Sequence, residues 1–396
     1  MLLIENTDLY TPQPRGRCAI LVSEGKIAGI FPGDDTGRLK EAIMSIAPRA
    51  MIVDAGGSMT IPGIIDRHVH FNGAGGEGGP SNRTPPLQLS AFIRAGTTSV
   101  VGMLGTDGTC RSLRELLMKA RALEAEGITT WILTGSYRVP SPTITGGIMD
   151  DICLIDKVIG LKMAISDHRS SHPSTREIRR AVSDARTGGL LAGKAGTVCV
   201  HMGTEATSYA PLLQAVEKTD IPLAQFAPTH ISRSERLLEE SIAFGKLGGN
   251  LDITAAPASM PPFGVPSLQA VKRLLAGGVA PERITLSSDG NGSMPRFDAA
   301  GKLIAMSVGP VESVLECVLE LLGDSEIASE IALGMATSHV ADQLDLQGKG
   351  RIAEGYDADI LVLDSERKEL KHVVAKGRAM MLDGEIKVRG TFEPGS

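Results

Sequence analysis

Six ionisable residues sit where apolar, strand-like segments end or run. His68 and His70 fall near the end of segment 63–71, Lys162 within 158–165, His201 near the end of 197–203, His230 at the end of 223–230 and Asp289 near the end of 284–290. Histidine and aspartate without cysteine form a donor set for zinc, manganese or iron rather than for a structural thiolate zinc site. His68 and His70 are two positions apart, so an extended backbone turns both imidazoles to one side, within reach of one ion. A lone histidine in a strand is usually a satisfied core residue. Here, however, four of the eight histidines share this placement, together with an aspartate. That joint pattern favours a metal centre. Lys162 does not fit a pocket of cationic ligands, where an ammonium is disfavoured; the plain alternative is an outward-pointing side chain or a buried ion pair. Of the other histidines, His339 and His372 suit surface or packing roles. His168 and His172, in the loop after 158–165, are candidates to support the ligands from behind.

The elements that must position these groups follow from hydropathy patterning. Eight strand-like runs, 63–71, 97–105, 129–138, 158–165, 197–203, 223–230, 251–255 and 284–290, alternate with helical patterns such as 112–126, 175–186, 234–246 and 267–275. Eight strand–helix units over a little under 300 residues predict a (β/α)8 barrel, whose strand ends converge on one face. A doubly wound sheet is the alternative, but no dinucleotide fingerprint follows the first strand. The Gly-rich stretch 73–79 likewise lacks the frame of a phosphate cradle. Helical patterns at 311–322 and 324–342 close the middle of the chain. Short strands and turns recur at both ends, around 18–30, 51–54, 358–363, 372–375 and 386–388. The fold class expected is therefore α/β: a TIM barrel over 58–349 and a small β-sandwich domain built from 1–57 plus 350–396.

Composition narrows the function classes. The 396 residues carry a formal net charge of −6, with no basic run interleaved with aromatics, which disfavours a nucleic-acid surface. No apolar run approaches the ~20 residues of a membrane span, and the N-terminus has neither the basic region nor the long apolar region of a signal peptide. The five cysteines are scattered, never in CxxC spacing, and read as buried reduced thiols of a cytoplasmic protein.

The segment Pro62-Gly63-Ile64-Ile65-Asp66-Arg67-His68-Val69-His70 resembles the PG-x-x-D-x-H-x-H opening of the amidohydrolase superfamily, and Glu354-Gly355-Tyr356-Asp357-Ala358-Asp359-Ile360 resembles its closing motif. Five further features resemble the β-aspartyl (isoaspartyl) dipeptidases within it. They are Gly75-Gly76-Glu77-Gly78-Gly79 after the first strand, Gly135-Ser136-Tyr137-Arg138 ending the third, and the spacing of Lys162 and Arg169. The last two are His230 followed by Arg233, and Ser288-Asp289-Gly290 with Ser293 beyond. This resemblance implies two zinc ions per subunit, one on His68, His70 and Asp289 and the other on His201 and His230. Lys162, carbamylated by CO2, and a hydroxide would bridge them; carbamylation also turns the ammonium into the anion the site needs. Two ions ~3.5–4 Å apart generate a nucleophile at neutral pH and polarise the scissile carbonyl.

In the same pattern Asp289 shuttles the proton and Tyr137 donates to the developing oxyanion. Glu77, Arg169 and Arg233 pair the ammonium and two carboxylates of a β-aspartyl dipeptide, with Gly75, Thr106 and Ser293 as further hydrogen-bonding candidates. The resemblance also implies a homo-oligomer, up to an octamer. A cyclic-amide hydrolase of the dihydroorotase or hydantoinase kind shares the metal core but leaves Glu77 idle. A non-catalytic scaffold is disfavoured because every ligand position is filled.

Overall fold

The computed structural model describes residues 1–33, 36–260, 264–298, 302–364 and 369–394. Eight parallel strands form the central sheet in sequential order: β1 Ile64–Val69, β2 Thr97–Gly102, β3 Thr129–Gly135, β4 Val158–Ile165, β5 Thr197–Met202, β6 Phe226–Thr229, β7 Leu251–Thr254 and β8 Ile284–Ser287. They are buried along their whole length apart from half-buried Trp131, as expected of parallel strands covered by helices outside and side chains within. The expected strands all form, each beginning within three residues of its predicted start. β8 returns to β1 through one bridge, Val69 to Gly290, so the barrel is nearly closed.

Helix Leu113–Glu126 shows why the outer elements lie where they do. Leu113, Leu116, Leu117, Ala120 and Leu123 recur at helical spacing and are buried, while the Ser112 side chain accepts from the Glu115 amide at the N-terminus. Ser174 and Glu177 make a reciprocal capping box on Thr175–Ala192, and such caps contribute about 1 kcal/mol. The expected helix 324–342 is instead two, Ser329–Gly334 and Ser338–Gln343. The break has a cause in the barrel: the carbonyls of Met335 and Ala336 accept from the amides of Leu286 in β8 and Ile65 in β1, both at 2.9 Å. The Thr337 hydroxyl takes the Leu333 carbonyl at 2.7 Å.

The chain ends form a separate nine-stranded sheet that includes Leu2–Tyr10, Pro14–Ser23, Ile360–Leu363 and Leu370–Ala375. Met59–Pro62 also belongs to it, pairing with Ile360–Val362. Alternation decides which side faces what: Ile360 and Val362 join a core with Ile4, Ile20 and Ile27, whereas Leu361 and Leu363 join the barrel's core. The five cysteines are free, but only Cys18, Cys199 and Cys317 are buried; Cys110 is exposed and Cys153 half-buried, because their loop and helix faces meet solvent. Among the described residues no helix is long and apolar enough to cross a membrane.

Candidate active site

The C-terminal ends of the barrel strands bring the six expected ligands together. His68 projects from β1, Lys162 from β4 and His201 from β5, while His70 and His230 directly follow β1 and β6 and Asp289 lies two residues past β8. His70 Nε2 lies 3.1 Å and His68 Nε2 3.4 Å from Asp289 Oδ1. Lys162 Nζ lies 3.3 Å from His68 Nε2. The His68 and His230 rings are 5.1 Å apart, and those of His201 and His230 4.7 Å. His230 and Asp289 both hold left-handed backbone, at φ 64° and 51°. Non-glycine residues seldom adopt that conformation, and it recurs at functional sites where the surroundings enforce it.

The donor chemistry fits a cation. His70 Nδ1 lies 3.0 Å from the Met103 carbonyl. A carbonyl only accepts, so Nδ1 carries a proton, and in the neutral ring the Nε2 lone pair then faces the Asp289 carboxylate. Two lone pairs at 3.1 Å repel unless a positive charge lies between them. Burial, reinforced by Lys162, holds His68 well below the ordinary imidazole pKa; burial and Arg233 do the same for His201 and His230. Neutral imidazole is the form that binds metal. His68, His70 and Asp289 thus make one compact site. His201 is engaged on both nitrogens, by the Tyr137 hydroxyl at 2.6 Å on Nδ1 and by Asp167 Oδ2 at 2.8 Å on Nε2. His230 Nδ1 meets the Thr254 hydroxyl at 2.6 Å.

A cavity of about 460 Å³ opens beside these groups. Tyr137, Arg169, Arg233, Asp289 and Ser293 line it, with Asp167 and His168. Glu77 stands at its edge, accepting from Thr106 Oγ1 at 2.8 Å, Ser293 Oγ at 3.0 Å and Arg169 Nη1 at 3.2 Å. Thr106 thus holds Glu77, and neither Thr106 nor Gly75 lines the cavity itself. Gly75 holds φ 87°, and a Cβ there would meet the Asn82 carbonyl at 2.1 Å, so only glycine permits the turn that presents Glu77. Burial pushes the Tyr137 phenol above its usual range, keeping it a proton donor. His172 is not at the site: it is exposed and pairs with Glu205 at 3.0 Å, because the loop carries it outward.

Three participants lay outside the sequence reading. Asp167 grips Arg169 with both oxygens, at 2.9 and 2.8 Å, besides touching His201. Burial opposes its charge, but the bonds from His201 and Arg169 outweigh this and hold the carboxyl far below the usual range. Its position just past β4 is the signal that singled out the histidines, so it was findable. Thr254, a lone hydroxyl ending β7, carried no such signal. Neither did the hairpin Ser293–Phe297 with Leu303–Val308, whose Met294, Pro295 and Arg296 form one wall of the cavity.

Residues 59–380 match the amidohydrolase family. The fold is similar to the crystal structure of a β-aspartyl dipeptidase from the thermophilic, keratin-degrading Fervidobacterium islandicum in complex with a β-Asp-Leu dipeptide. The two share 41% identity, 98% of each chain is covered, and the TM-score is 0.89. Among curated relatives, adenine deaminase 2 of Agrobacterium fabrum is 24% identical over 389 residues, covering 94% of this chain. The chain spans 58% of that deaminase's length. The allantoinase of Bacillus velezensis is 26% identical over 444 residues, covering 95% of this chain and 93% of the allantoinase. With the family match extending from the strand before the HxH segment into the C-terminal sheet, and with histidines and an aspartate converging at the barrel mouth, the chain belongs to the amidohydrolase family.

Proposed function

We propose that this amidohydrolase is a binuclear zinc dipeptidase that hydrolyses β-aspartyl dipeptides. The observation that carries the reading is Glu77, held by Thr106, Ser293 and Arg169 at the rim of a cavity that also presents two arginines and Asp289. A β-aspartyl dipeptide has one free ammonium and two free carboxylates, and this set complements it. The similar β-aspartyl dipeptidase, bound to β-Asp-Leu, supports it.

His68, His70 and Asp289 would hold one ion, and His201 and His230 the other, with carbamylated Lys162 between them. When bound, such ions would supply a nucleophile at neutral pH and polarise the scissile carbonyl. Asp289 takes the proton from the attacking water and delivers it to the leaving amine. Tyr137, protonated and buried, donates to the oxyanion. A carboxylate has about four acceptor positions and Glu77 uses three, which leaves room for the substrate ammonium. The arginines divide the remaining work. Arg169 spends its donors on Asp167 and Glu77. Arg233 has a buried Nε with no partner, and burial, with Arg169 nearby, lowers its pKa. It is the under-compensated cation and takes a substrate carboxylate, bidentate where geometry allows. The site is proposed to work in a cytoplasmic homo-oligomer.

The allantoinase relative favours a second reading, hydrolysis of a cyclic amide. A panel of β-linked and α-linked aspartyl dipeptides with dihydroorotate and allantoin separates the two: turnover of cyclic amides alone would remove the dipeptidase.

Two expected outcomes test the centre itself. Purified protein should hold close to two zinc equivalents, and Lys162→Ala should lose activity that short carboxylic acids partly restore; full activity without metal ends the reading. Tyr137→Phe should lower kcat by about 10²–10³-fold, the usual effect of removing one oxyanion donor, with metal content unchanged. A kcat within a few-fold of wild type would leave Tyr137 as packing against His201.

A further inference from the structure

Backbone hydrogen bonding holds the barrel unevenly. β4 and β5 share six register pairs, from Thr197 opposite Gly160 to Met202 opposite Ile165. Among the described residues β6 and β7 share one, Thr229 opposite Asp252, and the end of β1 meets the chain just past β8 at a single bridge, Val69 to Gly290. These thin joints lie on either side of Asp289, one directly beside β8 and the other one strand further round. One separates it from His230, the other from His68 and His70.

Other groups occupy the gaps. Low in the β8–β1 joint, the Met335 and Ala336 carbonyls take the Leu286 and Ile65 amides. At the mouth, the fully buried Asp66 does the bonding. Its Oδ1 accepts from the amides of His68 and Ser288, both at 3.2 Å, and its Oδ2 from the Ser288 hydroxyl. Ser288 Oγ accepts from the Gly290 amide at 2.8 Å, and the Gly290 carbonyl accepts from the His70 amide at 2.9 Å. These bonds link Asp66, Ser288, Gly290 and His70, and the chain itself closes the loop from His70 through Val69 to His68, with Asp289 held between Ser288 and Gly290 in left-handed backbone. Such a conformation persists only where its surroundings over-determine it. The other thin joint is treated alike: Asp252 accepts from Thr229 at 2.7 Å, Ser287 at 2.6 Å and Thr285 at 2.8 Å.

We propose that Asp66 is a positioning residue whose carboxylate replaces the missing ladder between β8 and β1 and so sets the separation of His68 and His70 from Asp289. The inference rests on reading those three as metal ligands. It does not depend on the substrate.

The test is zinc affinity of the metal-stripped protein, measured by competition with a chromophoric chelator, alongside the visible spectrum of the cobalt(II)-loaded protein and kcat and KM at saturating zinc. Removing a partner of a ligand from behind typically costs 10–100-fold in metal affinity or activity. Asp66→Ala should weaken zinc by about that factor and shift the cobalt spectrum, with kcat falling and KM nearly constant. Asp66→Asn, which keeps an acceptor for the two amides, should recover most of the loss. Ser288→Ala should cost less, and adding it to Asp66→Ala should cost less than the sum of the two, since the bond between the Ser288 hydroxyl and Asp66 is lost in both. If Asp66→Ala lowers only the melting temperature and leaves zinc affinity and the cobalt spectrum unchanged, the residue is merely structural and the proposal falls. Equal losses in the Ala and Asn variants also overturn it, assigning the effect to charge. If Asp66→Ala does not fold, Ser288→Ala decides: zinc affinity within twofold of wild type overturns the proposal. Absence of β-Asp-Leu turnover with normal zinc binding would instead count against the dipeptidase reading.

Discussion

Replacing Asp289 by Asn should abolish most turnover while leaving the fold intact. Asp289 is the one member of the compact His68–His70–Asp289 cluster that also lines the cavity. Its Oδ1 faces the two imidazoles, whereas Oδ2 lies 3.9 Å from His230 Nδ1, beyond hydrogen-bond reach. One oxygen is thus engaged by the ligand cluster and the other is available to accept a proton. Asparagine preserves the volume but offers an amide that cannot shuttle protons. General acid–base catalysis contributes about 10²–10⁴-fold, so kcat should fall by about three orders of magnitude. Because the same residue is a candidate ligand, zinc content has to be measured on the same sample, and the comparison made at full loading. A variant that retains its metals and a near-normal kcat would remove Asp289 from proton transfer.

Glu77→Gln should have the second-largest effect, and it should fall on specificity. Wild type is expected to cleave β-linked Asp-Leu and spare the α-linked isomer. The isomers carry equal charge, but α-linkage moves the ammonium next to the scissile carbonyl. The ammonium and free carboxylate then no longer reach Glu77 and an arginine while the carbonyl is in place. A buried charge left without its partner costs about 3–5 kcal/mol, which corresponds to discrimination by a factor of hundreds to thousands. Glutamine retains an acceptor for Thr106 or Ser293 but loses the charge, so kcat/KM for the β-linked substrate should drop about 10²–10³-fold. Zinc content should not change, because Glu77 contacts none of the metal ligands. Arg233→Met should weaken the same substrate through a lost carboxylate contact. Arg169→Met should also release Asp167 and Glu77, so the pair should be non-additive. Comparable turnover of the two Asp-Leu isomers would sink the dipeptidase reading and leave the amidohydrolase intact.

The sequence by itself determined the barrel and which residues are the candidate ligands. A parallel strand buried on both faces must be apolar, so each polar residue at its end stands out, and His68, His70, Lys162, His201, His230 and Asp289 are all of that kind. Spacing of two fixes a side for His68 and His70 whatever the rest of the chain does. Tertiary structure decided what depends on partners distant in sequence. Whether 324–342 is one helix or two depended on Met335 and Ala336 being recruited by β8 and β1, which no local propensity records. His168 and His172 share a loop, yet only His168 faces the cavity, because the path of the loop is set by its packing. Asp66 and Asp252 look like ordinary buried acids until Ser288, Ser287, Thr229 and Thr285 are brought to them from other strands. Hydrophobic periodicity specifies which face of an element is buried. It carries no information about which hydroxyl or carbonyl waits on the far side of the barrel, and those contacts hold the residues at the barrel mouth in place.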